Sequence, residues 1–207
     1  AIVRASPSST GSASRRGVWS QGDEESLVEL EELEWDSGML EKRAARLNWL
    51  LAPGPYEQAR ERKGRLLAAA LEEAVRRGIE HLTARVAAED LSSLHALEAA
   101  GFLTVDTILT FARASGPEPN AGAVRAAELD DIPALRRIAE RSFRYDRYHA
   151  DPTIPKTVAD HLHGEWVENS VRGFADVVLV VEGPEGPAGF TTIQVDPWAE
   201  EVLGVSI

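Results

Sequence analysis

Between residues 63 and 111 the spacing of apolar positions changes from helical to alternating and back. Leu67, Ala70, Leu71, Ala74 and Val75 recur three and four apart, which predicts an amphipathic helix over Lys63 to Arg77. Arg76 and Arg77 suit the negative end of that helix, and Gly78 can take the left-handed conformation that stops it. Ile79 to Val86 alternates as a short strand does. Asp90 or Ser92 can cap a second helix whose Leu94, Leu97 and Ala100 share a face, with Gly101 at its end. Phe102 to Phe111 then places Val105, Thr107, Leu109 and Phe111 on one side of a further strand. The predicted order is helix, strand, helix, strand.

Upstream the pattern is weaker. Residues 1–21 are rich in Ser, Arg and Gly without apolar periodicity and are expected to be a disordered tail. The acidic run from Asp23 to Glu34, with Leu27, Val28, Leu30 and Leu33 between the acids, is expected to be a solvated helix face. Residues 22–113 thus form an N-terminal αβ region. Residues 114–122 hold four Gly or Pro in nine positions and read as a linker.

Residues 123–207 follow as a second region. Val124 to Ala127 is a short strand, and Asp130 or Asp131 can cap a helix with Pro133 in its first turn. Ile132, Leu135, Ile138, Ala139 and Phe143 line the buried stripe of that helix. An irregular stretch from Tyr145 to Pro152 leads to a second helix over Lys156 to Ser170. Val177 to Val181 is an unbroken aliphatic run, expected to be a strand covered on both faces. The turn Gly183 to Pro187 returns it into an antiparallel strand over Ala188 to Val195, and Glu201 to Ile207 begins another.

Composition narrows the function classes. The 207 residues are 43% hydrophobic and 27% charged, as in an ordinary globular protein. The formal charge of −12 and pI near 4.9 disfavour nucleic acid as a partner. The absence of cysteine excludes disulfides and thiolate metal sites and fits a reducing cytoplasm. No apolar run reaches the ~20 residues that a membrane helix needs, so no membrane partner is expected. The sequence begins at Ala1 and its one methionine is Met39, as expected of a processed or partial form.

Several segments carry a family resemblance. "AAELDDIPALRRIAERSF" resembles the first strand and helix of GNAT-superfamily N-acetyltransferases. "RYHADPTIP", "WVENSVRG", "PAGFTTIQVD" and "EVLGVSI" are similar to the dTDP-fucosamine acetyltransferase-like subgroup, as are "LEWDSGMLEKRAARL" and "LSSLHALEAAGF" upstream. The matches run in order from about Leu33 to Ile207. The resemblance implies an α+β fold, with a mostly antiparallel mixed sheet flanked by helices. It also implies that 123–207 is the front half of a GNAT domain and 22–113 a degenerate GNAT-like half. The implied activity is transfer of an acetyl group from acetyl-CoA to a small-molecule amine, such as a nucleotide-linked amino sugar. A non-catalytic remnant that binds a ligand or partner is the other reading, and a homodimer is a further expectation.

In that family the pantetheine arm of the cofactor lies along the fourth strand. The resemblance therefore assigns cofactor contact to the backbone of Gly204, Val205, Ser206 and Ile207. The Gly-rich diphosphate loop, whose amides and helix N-terminus would hold the anion, is expected just after Ile207, beyond the sequence as read. Gln58 to Leu67 ("QARERKGRLL") faintly echoes such a loop, but it lacks the second glycine, and Glu57 and Glu61 would repel a diphosphate. It is expected to be an exposed charged loop leading into a structural helix.

The irregular stretch forms the substrate wall in GNAT domains. Arg147 can bind a phosphate or carboxylate bidentately, or pair with Asp146, Asp151 or Glu165. His149 can bind substrate, shuttle a proton or cap the loop. Asp151, before Pro152, also suits a turn. Trp166 and Asn169 lie three apart on one helix face, as a sugar platform and a polar contact or as core and cap. Glu200 and Glu201 fall near the place of a general base in some members, but are expected to belong to a surface turn. His161, His163 and Glu165 suggest a metal set, but the two histidines are two apart and point to different helix faces, so no metal is expected.

Overall fold

A computed structural model describes residues 18–109, 111, 124–195 and 202–206, with the backbone alone for 195 and 202–206. The chain divides into two compact units, 1–104 and 105–207. Both are α+β.

In the first unit the strands β1 (Val18–Gly22), β2 (Leu27–Glu32), β3 (Ala44–Leu51) and β4 (His81–Ala84) lie in that order. The first two pairings are antiparallel. The β3–β4 pair is parallel, as its crossover through a long helix requires. That helix is α2 (Tyr56–Arg76), and α1 (Glu34–Leu40) and α3 (Leu91–Ala99) complete the unit. The core joins Val28 and Leu30 of β2 to Ala45, Leu47 and Leu50 of β3 and to Leu66, Leu67, Ala70 and Ala74 of α2.

Several expectations change here. Leu27 to Glu32 of the acidic run is a strand, because Val28 and Leu30 point inward while Glu29 and Glu31 alternate with them on the other face, and Glu34 begins α1. Val18 to Gln21 belong to β1 rather than to a tail; the rest of the expected tail lies outside the described residues. Helix α2 starts earlier than its apolar stripe, at Tyr56, so Gln58 to Leu67 is helix and not loop. Val75 is exposed and lies off that stripe. Gly78 (φ +68°) and Gly101 (φ +91°) do adopt the left-handed stops. Residues 102–109 form no strand among the described residues, and Leu103, Ile108 and Leu109 stay exposed. Among the described residues their alternation joins no ladder. The expected linker, 114–122, lies outside the described residues.

β3 was not legible as a strand. Its partners run Glu29 to Trp49 and then Leu30 to Leu47, so Asn48 is an extra residue in the ladder, a β-bulge. The Asn48 amide donates to Glu29 (2.9 Å) and Glu31 (2.7 Å), and its carbonyl accepts from Arg46 (2.8 Å).

The second unit holds an antiparallel sheet in the order β5 (Val124–Ala126), β6 (Val177–Gly183), β7 (Gly186–Val195), β8 (Val202–Ser206). Helices α4 (Ile132–Ser142), α5 (Arg147–Ala150) and α6 (Lys156–Asn169) lie between β5 and β6 in sequence. Leu135 and Ala139 of α4 and Val167 of α6 pack on Val178, Val180 and Phe190. Within β6 only Val178 and Val180 are buried, and Val177 and Val181 are exposed. The aliphatic run is therefore covered on one face, as antiparallel sheets allow, and not on two. Asp131 does not cap α4 through its side chain. Its carboxylate reaches back to the Glu128 amide (2.8 Å) and is gripped at both oxygens by Arg125 of β5. The stretch expected to be irregular contains α5.

Candidate functional site

Phe143 ends α4, and the chain turns through Tyr145 into α5. Asp146 caps α5, its Oδ1 accepting from the amides of Tyr148 (2.9 Å) and His149 (3.3 Å). Its Oδ2 faces His149 Nδ1 at 2.5 Å. The other ring nitrogen of His149 faces Asp160 Oδ1 of α6 at 3.0 Å, and Lys156 holds the same carboxylate at 2.7 and 2.6 Å. His149 thus lies between two carboxylates with its side chain only 6% exposed. A neutral imidazole can donate to one of them only, so the geometry favours the doubly protonated ring. Burial lowers its pKa, but the hydrogen bonds to Asp160 and Asp146 outweigh that and raise it above the ordinary histidine value. Burial pushes Asp146 up, and the His149 bond with the neighbouring His163 brings it below the usual carboxylate range.

His163 sits one turn beyond Asp160 on α6. Its ring stacks flat on Phe143 (centroids 4.0 Å apart, planes 6° apart) and runs parallel to the His149 ring at 5.6 Å. Its Nε2 lies 3.2 Å from Asp146 Oδ2. That is ion-pair distance, but the alignment is not that of a hydrogen bond, and this buried nitrogen has no hydrogen-bond partner among the described residues. Burial is the main influence on His163 and lowers its pKa despite the nearby Asp146.

The other expected residues divide. Arg147 lies over the Tyr148 ring, 4.4 Å from its centroid, and donates to the Tyr148 hydroxyl. Glu165 is held by Arg136 of α4 (2.6 Å). Asp151 forms a local turn, accepting from the amide (2.8 Å) and hydroxyl (2.7 Å) of Thr153. Trp166 is half-buried, edge-on to Phe143 at 6.2 Å. Asn169 is the half-buried last residue of α6. Gly204, Val205 and Ser206 pair with Ile193, Thr192 and Thr191 of β7. Ile207, Glu200 and Glu201 lie outside the described residues.

His161 and His163 do point apart: His161 is exposed and approaches Glu165 at 3.7 Å. The ring that turns inward meets residues from outside its helix. Asp146, Asp160 and His163 were therefore missed as one cluster. The signal was the spacing Asp146-x-x-His149 before α6 and Asp160-x-x-His163 on it, which places each pair on one side of a helical turn.

No family model matches the chain. Over 93 residues it is 36% identical to the dTDP-fucosamine acetyltransferase of Escherichia coli O6:H1, strain CFT073. That stretch covers 45% of this chain and 41% of the relative. The chain is thus related to an acetyltransferase, and its matched part spans less than half of that protein. No helix among the described residues is long and apolar enough to cross a membrane.

Proposed function

We propose that the chain is the whole or part of an N-acetyltransferase that moves an acetyl group from acetyl-CoA to the amine of a small molecule. The 36% identity to an acetyltransferase carries this reading. The α+β architecture, with an antiparallel sheet backed by α4 and α6, is compatible with it. In the reaction the amine nitrogen attacks the thioester carbonyl carbon. The carbon–sulfur bond breaks, and coenzyme A leaves as the thiol with the proton the amine gives up.

On this reading the backbone of Gly204, Val205, Ser206 and Ile207 pairs with the pantetheine arm. Arg147, Asp151, Trp166 and Asn169 belong to the acceptor wall. Arg147 is the group suited to a phosphate, which favours a nucleotide-linked amino sugar as acceptor. His149 has both ring nitrogens turned to aspartates, so it shapes that wall from within.

Thiol release from acetyl-CoA, followed over a panel of nucleotide-linked amino sugars, amino acids and polyamines, tests the proposal. Release that depends on an acceptor supports it. No release with any acceptor, and no calorimetric binding of acetyl-CoA, overturns it in favour of a non-catalytic binding module.

A further inference from the structure

We propose that Asp146, His149 and His163 bind a divalent transition-metal cation of the zinc class, with Asp160 orienting His149 from behind. The inference stands apart from acyl transfer. Three observations carry it.

The first is the donor set. One atom from each of the three residues lies within 4.8 Å of the other two, and Asp146 Oδ2 is close to both rings. Two imidazoles and a carboxylate suit zinc and its neighbours better than magnesium or calcium, which prefer oxygen ligands.

The second is the unpartnered nitrogen. His163 Nε2 lies 3.2 Å from Asp146 Oδ2 and makes no hydrogen bond among the described residues, while its side chain is only 9% exposed. A buried polar atom without a partner is destabilising, and a metal ion removes that cost by taking the lone pair. The flat stack on Phe143 fixes the plane in which that lone pair points.

The third is the outer partner. A metal-binding histidine commonly donates its second N–H to a carboxylate, which sets the tautomer and the ring orientation. Asp160 stands at 3.0 Å from His149 Nε2, on the side away from Asp146, and Lys156 anchors it in turn. His149 Nδ1 then faces Asp146 Oδ2.

The three donor atoms, within 4.8 Å of one another, lie within reach of the spacing an ion requires. Donors bound at ~2.0–2.2 Å with tetrahedral angles stand about 3.3 Å apart. His163 Nε2 and Asp146 Oδ2 are already 3.2 Å apart. His149 Nδ1, at 2.5 Å from Asp146, gives up the bridging proton and moves back by about 0.8 Å, less than a rotamer change. Asp146 keeps 19% of its side chain exposed, which gives an ion a way in and leaves a fourth position for water.

The test uses the full chain after chelator treatment. Zinc is titrated by calorimetry and cobalt(II) by visible absorption near neutral pH. The expected result is one zinc per chain and the visible bands of cobalt in a low-coordinate nitrogen–oxygen site. His163→Ala and His149→Ala should each weaken zinc binding at least ~100-fold, and Asp160→Asn by about 10- to 100-fold as an outer partner does. His161→Ala, on the exposed side of α6, should leave it unchanged. Absence of zinc binding and of cobalt bands in the unaltered chain overturns the proposal, whether or not the variants fold. So does zinc binding that survives His163→Ala or is lost with His161→Ala.

Discussion

In each unit a helix-capping aspartate is tied to a basic side chain, and the two ties differ in how completely they are closed. Asp90 caps α3 in the first unit. Lys63 reaches it from α2, donating to both carboxylate oxygens at 2.8 Å and to the Ser92 hydroxyl at 2.8 Å. Ser92 and Ser93 donate to the same carboxylate at 2.7 and 2.6 Å. All three ammonium protons have acceptors. Burial pushes the Asp90 carboxyl up, yet the bonds from Lys63, Ser93 and Ser92 hold it far below the usual carboxylate range. In the second unit Asp146 caps α5 and faces two histidines, one engaged at both nitrogens and one left with an unsatisfied Nε2. A closed network holds a fold together. An open one, built on a more buried carboxylate, has room for one more atom.

The contrast can be broken by removing the basic partner on each side. Lys63→Met leaves the Asp90 charge without its main partner. Removing one half of a buried pair costs about 3–5 kcal/mol, and the 34% exposure of Asp90 brings the expected loss to about 2 kcal/mol. A fall in the urea midpoint at unchanged slope would show it. His163→Leu keeps the volume and discards the unpaired nitrogen. Relief of about 1–3 kcal/mol, less about 0.5–1.5 for the lost stack on Phe143, predicts a gain of about 1 kcal/mol. A loss comparable to that of Lys63→Met would mean that the second network is as structural as the first.

The smallest effect is expected in acid. Arg125 holds Asp131, with help from the Glu128 amide, at a pKa of about 2. Because the folded value lies below the unfolded ~3.9, this carboxylate contributes stability above about pH 4 and loses it as pH falls through about 2. Denaturant midpoints at about pH 5 and about pH 2.5 should differ less in Arg125→Met than in the unaltered chain. An identical difference in both would remove Arg125 as the cause.

What the sequence revealed follows the same division between local and long-range information. The Asp90 cap and the glycine stops at Gly78 and Gly101 are local, and they were legible. So was the order of α4, α6, β6, β7 and β8, because each carries its own period. The Leu27–Glu32 strand was misread, since its three acids, Glu29, Glu31 and Glu32, imitate a solvated helix over so short a span. β3 was missed because the bulge at Asn48 switches its inward face midway, from Leu47 to Leu50, so no single period covers it. At the candidate site His149 and its neighbours could be named from chain position. The spacing Asp160-x-x-His163 pairs those two on α6, but that they meet Asp146 and His149 depends on how α5 packs on α6.

The bulge in β3 bears also on how the chain avoids misfolding. Ala44 to Leu51 is apolar enough to pair with β2 in more than one alignment, and a slip by one residue would turn its core side chains to solvent. Any slip must carry Asn48 away from Glu29 and Glu31, breaking both side-chain bonds to them at once. Asn48 therefore acts as an index mark on the strand, making one alignment of the first sheet lower in energy than its neighbours.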